Sequence, residues 1–95
     1  MVRREGEALM VEGAVTFDTV PGLVEAAHEH LAQGVKVVDF AGVADVDSAA
    51  VALALEWTRQ ARRANITLRF VNLPDSMHNL AKLYGVSELL QPATA

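Results

Sequence analysis

Val43-Ala44-Asp45-Val46-Asp47-Ser48-Ala49-Ala50-Val51-Ala52-Leu53-Ala54-Leu55 follows directly on an apolar run from Val35 to Ala41. An extended segment here turns into a helix, with an acid and a hydroxyl, Asp47-Ser48, at the junction. A helix start carries unpaired N–H groups and a partial positive charge, so a short polar pair suits it. The helix then opens with seven consecutive apolar residues, Ala49 to Leu55. One core-facing stripe needs fewer. Either both sides of this first stretch are buried, or one side meets another protein.

Working outward, the chain alternates strand and helix. Ala8 to Val11 is a short strand ending at Gly13, with Ala14 and Val15 as a second short one. Thr19 to Gln33 forms a helix, with Pro21 in its first turn and Val20, Leu23, Val24, Ala27 and Leu31 on one face. Gly34 stands where a left-handed cap ends it. Val35, Val37, Val38 and Phe40 make a strand apolar on nearly both sides, as in a sheet covered on both faces. The second helix spans Ser48 to about Ala64, its main stripe being Ala50, Leu53, Ala54, Trp57, Ala61 and Ala64, with Val51 and Leu55 on a separate stripe. Trp57 sits in the core stripe with its N–H near the rim. Ile66, Leu68 and Phe70 alternate with Thr67 and Arg69 in a one-sided strand. Pro74 and Asp75 open a third helix with Met77, Leu80, Ala81 and Tyr84 on one face, closed by Gly85. Val86 to Leu90 adds a final turn, and the tails Met1–Gly6 and Gln91–Ala95 read as frayed. This succession predicts one α/β domain with crossover connections, whose sites collect beyond the carboxyl ends of its parallel strands. Asp45, Asp47 and Ser48 fall there, as does the Asn72-Leu73 turn.

Composition limits the chemistry. Ninety-five residues with 52% hydrophobic and 21% charged side chains describe a folded domain. Such a length buries roughly 60–65% of the unfolded surface. A net charge of −4 argues against a nucleic-acid face, and the Arg59, Arg62 and Arg63 group reads as a solvated face near a helix C-terminus. There is no cysteine, so neither a disulfide framework nor a thiolate metal site. Glu5, Gly6 and Glu7 interrupt any signal-peptide core, and no run nears the ~20 apolar residues of a membrane span. The expected address is cytoplasmic.

Candidate chemistry is sparse. His28 and His30 lie two apart on a helix, so they point in different directions and cannot chelate one metal together. His78 has no metal-binding spacing around it, and no metal site is expected. Asp39, Asp45 and Asp47 would be the acids of a general acid/base site, yet no His or Lys is placed near them in sequence as a partner. No glycine-rich phosphate loop is present, so no nucleotide cofactor is expected. The plain reading of Asp47-Ser48 is a helix N-cap, worth about 1 kcal/mol. A cap alone leaves the apolar run unexplained, and the small Ala49, Ala50 and Ala52 leave the helix surface low enough for close approach.

Val37-Val38-Asp39-Phe40 and Val46-Asp47-Ser48-Ala49-Ala50-Val51-Ala52-Leu53 together resemble the STAS domain signature, a strand ending in Asp-Ser/Thr followed by an apolar helix. The resemblance runs from about Glu7 to Leu90. Leu80-Ala81-Lys82-Leu83-Tyr84-Gly85-Val86 is similar to the third helix of the STAS subunits of Mla (maintenance of lipid asymmetry) phospholipid-transport ABC complexes. The resemblance implies a STAS-like mixed β-sheet with flanking α-helices in a single domain, residues 1–95, with an ordered core of about 7–90. It implies a non-enzymatic accessory role: binding the cytoplasmic ATPase, with the permease in the larger complex, at the cytoplasmic face of the inner membrane. No cofactor, nucleic acid or homo-oligomer is required. Ser48 matches the hydroxyl important for the ATPase contact, and Asp47, Ala49, Ala50 and Val51 border it. In anti-sigma factor antagonists, the other well-known group, the hydroxyl region is phosphorylated within a pattern similar to Asp-Ser-Ser/Thr-Gly. Here Ala49 replaces the second hydroxyl and Ala50 the glycine, which makes Ser48 a phosphosite only in the alternative reading. A third class, a small-molecule or lipid sensor, needs a pocket at the sheet's carboxyl edge that no residue specifically asks for.

Overall fold

The computed structural model describes residues 1–86. In chain order the elements are β1 (Val2–Glu5), β2 (Ala8–Val15), α1 (Val20–Ala32), β3 (Val37–Val46), α2 (Ser48–Arg63), β4 (Arg69–Val71) and α3 (Asp75–Leu83). The four strands form one mixed sheet in the order β1-β2-β3-β4, with β1 antiparallel to β2 and the other two pairs parallel. The expectation of a mixed sheet with flanking helices in a single α/β unit is met.

The strand order explains where the helices go. Both parallel crossovers step in the same direction, β2 to β3 to β4, and crossovers of one hand then deliver their helices to one face of the sheet. Side-chain burial agrees. Leu9, Val11, Val38, Phe40 and Phe70 are buried, while their alternates Met10, Asp39 and Val71 are only half-covered. The strand around Val38 is therefore covered on one face among the described residues, which corrects the two-sided reading of its apolar run. Phe40 and Phe70 meet edge-to-face on the buried side, ring centroids 6.2 Å apart.

α2 lies between α1 and α3 and packs against both. A central helix needs a wide apolar arc, and this is where much of the run after Ser48 goes. Ala50, Val51, Leu53, Ala54, Trp57 and Ala61 are all buried. Val51 belongs to the core and not to a separate stripe. Leu55 is half-buried against the same cluster. Trp57 is 0% exposed, and its Nε1–H has no acceptor among the described residues, so it is not at the rim.

Several element bounds differ from those read in the sequence. Val2–Glu5 is a strand and not a frayed tail, because it pairs with Ala8–Val11 through the Gly6-Glu7 turn. Ala8 to Val15 is one strand; Gly13, at φ +86°, bends it without ending it. The strand after Gly34 extends to Val46, five residues beyond Ala41, and its register against β2 slips between Met10 and Glu12 and again between Gly13 and Ala14. β4 is only three residues long. Tyr84 follows α3 and is 55% exposed, so it does not belong to the core face of Met77 and Ala81. Residues 87–90 of the expected last turn, and the Gln91–Ala95 tail, lie outside the described residues. α1 matches its expected bounds, with Gly34 beyond its end at φ +93°.

Candidate functional site

At the carboxyl ends of β2 and β3 the chain turns twice, into α1 through Thr16–Thr19 and into α2 through Asp47. Asp47 is extended, and its Oδ1 accepts the Ala49 N–H at 2.8 Å, an N-cap of the expected kind. Its second oxygen does something the sequence did not announce. Oδ2 accepts the Phe17 N–H at 2.9 Å, joining the β2–α1 turn to the start of α2. The Asp47 N–H also donates to the Val15 carbonyl at 3.3 Å. One carboxylate thus holds both connections in register.

The β2–α1 turn is braced from its other side. The Thr16 N–H donates to Thr19 Oγ1 at 2.9 Å, and that hydroxyl donates to the Ala14 carbonyl at 2.9 Å. The Thr19 and Val20 N–H groups both reach the Thr16 carbonyl. Phe17 stands at the apex of this closed turn, 81% exposed. Between it and α2 lies an open apolar groove of about 440 Å³, lined by Phe17, Val20, Pro21, Ser48, Ala49 and Ala52.

Ser48 is exposed on the rim of that groove, and its hydroxyl makes no hydrogen bond among the described residues. Ala49 is half-exposed and lines the groove wall. Ala50 and Val51, expected to border a partner, are 0% and 3% exposed. Ala50 is about 200° round the helix from Ser48 and so faces the core, and Val51 is covered because α2 packs between two helices. Ala52, one turn beyond Ser48, takes the outward position they were given. The accessible set is thus Ser48, Ala49 and Ala52 together with Phe17, Val20 and Pro21, with Asp47 half-buried beneath it.

Phe17 and its turn escaped the sequence reading because Phe17 lies outside every periodic pattern. The available signal was its position: a large aromatic between two threonines, just ahead of a helix, with no strand or helix face to bury it. The other candidates do not converge. Asp39 Oδ1 accepts the Ala41 N–H and an Asn72 side-chain N–H, at 2.8 and 3.0 Å. It is thereby tied to the β4 end of the sheet, away from Asp47's hydrogen bonds to Phe17 and Ala49. His28 is exposed and His30 half-buried, so the two point apart as their spacing requires. No helix among the described residues is long and apolar enough to cross a membrane.

Charge is unevenly placed around this groove. Asp18 and Asp47 belong to its two turns, Asp45 is near the end of β3, and no Lys or Arg lines the groove. All eight Lys and Arg residues of the chain fall elsewhere: on β1, at Lys36 and Arg69 where β3 and β4 begin, and toward the C-terminal ends of α2 and α3.

A family model described as "Mlab, STAS domain" matches residues 1–91. No curated protein sequence is a significant match. Among solved structures, the anti-sigma factor antagonist SpoIIAA in its unphosphorylated form is similar, with a TM-score of 0.73 at 15% identity over 99% of this chain and 87% of that one. A structure of Mglu is similar with a TM-score of 0.56 at 21% identity, over 77% of this chain but only 19% of Mglu. At these identities the structural likeness establishes the fold.

Proposed function

The chain belongs to the STAS domain family, and from that premise we propose that it is a non-catalytic accessory subunit of a phospholipid-transporting ABC complex. In this reading it binds the cytoplasmic ATPase and supports its assembly and activity, at the cytoplasmic face of the inner membrane. The observation that carries the reading is Ser48, an exposed hydroxyl without a hydrogen-bond partner, on the rim of an apolar groove at the start of α2. A hydroxyl in an otherwise apolar contact can donate and accept one hydrogen bond, and so fixes register while the surrounding apolar area supplies affinity. Asp47 does not compete for that role, since both its oxygens already hold backbone N–H groups. The family description and the Leu80–Val86 segment support the assignment to lipid transport.

Co-purification with the cognate ATPase tests this. The wild-type chain is expected to be retained, and Ser48→Glu to be lost, because a carboxylate must be desolvated against an apolar partner beside Asp47. A wild-type chain that ignores the ATPase overturns the reading.

The second reading is an anti-sigma factor antagonist switched by phosphorylation at Ser48. It is favoured by the likeness to SpoIIAA and by the exposure of Ser48. A phosphate there adds about −1.5 to −2 charges, welcomed by the helix N-terminus and opposed by Asp47. Incubation with a candidate kinase and ATP, followed by intact-mass measurement, distinguishes it: phosphate on wild type and none on Ser48→Ala supports this second reading over the first.

A further inference from the structure

Phe17 is the most exposed large hydrophobic side chain among the described residues, and the backbone that carries it is held by hydrogen bonds. Its own N–H is bonded to Asp47, and the turn that carries it is closed by Thr19 Oγ1 and the Thr16 carbonyl. An aromatic ring held in water by a rigid turn brings a large contact area and loses little backbone freedom when a partner arrives. The ring forms one wall of the groove whose other wall is Ser48 and Ala49. Ala49 and Ala52 keep the floor low, so the groove is open to an inserted side chain.

We infer that this groove receives an apolar anchor side chain from the partner protein, flanked on the partner by Lys or Arg, with Phe17 as the residue that grips the anchor. The inference rests on the reading of Ser48 as a partner contact and extends it to the chemistry of what is bound. Charge carries the second half of the inference. Asp18, next to Phe17 in the turn, is exposed, and no Lys or Arg lines the groove. With Asp18 exposed and no Lys or Arg at the groove, a basic partner segment is steered in more readily than an acidic one. The volume carries the first half. About 440 Å³, open to solvent and mostly apolar, accommodates one or two side chains with water excluded around them. The other exposed hydrophobic pair, Leu83 and Tyr84, is near the end of α3, and nothing near it specifies an occupant.

Calorimetric titration of the intact chain into the ATPase, at low and high salt, tests the inference with three variants. Phe17→Ala is expected to weaken binding at least about tenfold, the effect of truncating an anchor contact, with an unchanged urea midpoint because the ring packs on solvent. Asp18→Asn is expected to flatten the salt dependence of Kd that wild type shows. Ser48→Glu separates the two levels. If Ser48→Glu loses binding while Phe17→Ala keeps the wild-type Kd, the groove inference fails and the Ser48 reading stands. If wild type does not bind the ATPase, both fail. If sedimentation instead finds a dimer of this chain that Phe17→Ala dissolves, the occupant is a second copy and the inference is overturned.

Discussion

In the second half of α2, Trp57 and Ala61 are fully buried, and the exposed positions carry Arg59, Arg62 and Arg63 in solvent. In the first turn and a half of the same helix, Ala50 and Val51 are equally buried, but the outward positions are Ser48, Ala49 and Ala52 beside an exposed phenylalanine. The inward face is alike in both halves; the outward face is charged in one and small or apolar in the other. A charged outward face keeps a helix in water, whereas a small, apolar outward face beside a fixed aromatic is suited to a partner. On the proposed reading, helix α2 joins two tasks, holding the core along its length and presenting a contact at its start.

The comparison can be broken most severely at Trp57. Trp57→Ala removes the largest buried side chain and is expected to cost about 3–5 kcal/mol of folding stability, read as a fall in the urea midpoint, while the remaining folded fraction still binds its partner. Next comes Ala50, which separates a core residue from a contact residue. Ala50→Leu is expected to destabilise by about 1–3 kcal/mol through overpacking between α2 and its neighbours; unchanged stability with lost binding would return Ala50 to the interface. Asp47 belongs to both tasks. Asp47→Ala is expected to lose about 1–2 kcal/mol as a cap and to weaken partner binding as well, since the Phe17 turn is released from α2. Asp47→Asn keeps one acceptor oxygen, so it is expected to fall between wild type and Asp47→Ala in denaturation and in titration. The smallest stability effect is at Ser48, where Ser48→Ala is expected to stay within about 0.5 kcal/mol of wild type and to change affinity alone.

Much of this fold was legible. The 3.6-residue spacing of Val20, Leu23, Val24, Ala27 and Leu31 placed α1 within a residue of each end, and Asp47 was readable as a cap because an acid ahead of an apolar helix has few other uses. Tertiary context decided what periodicity could not. β1 is polar and short, and only pairing with β2 makes it a strand. Val51 seemed surplus because a single stripe was assumed, whereas a helix flanked by two others buries a broader arc. Tyr84 fitted the α3 spacing, but the helix ends at Leu83, so the pattern outran the element. At the candidate site, the Asp47-Ser48 centre came from the sequence and its surroundings did not. Phe17 lies 30 residues before Asp47, and a hydrogen bond across that separation leaves no local pattern.

On the proposed reading, the exposed first turn of α2 is a contact surface distinct from the core beneath it. The affinity of Ser48→Glu for the cognate ATPase, measured beside its urea midpoint, tests this most directly. A midpoint close to wild type is expected, since an exposed acid at a helix start is tolerated, together with loss of binding. Wild-type affinity in a normally folded Ser48→Glu protein would contradict it.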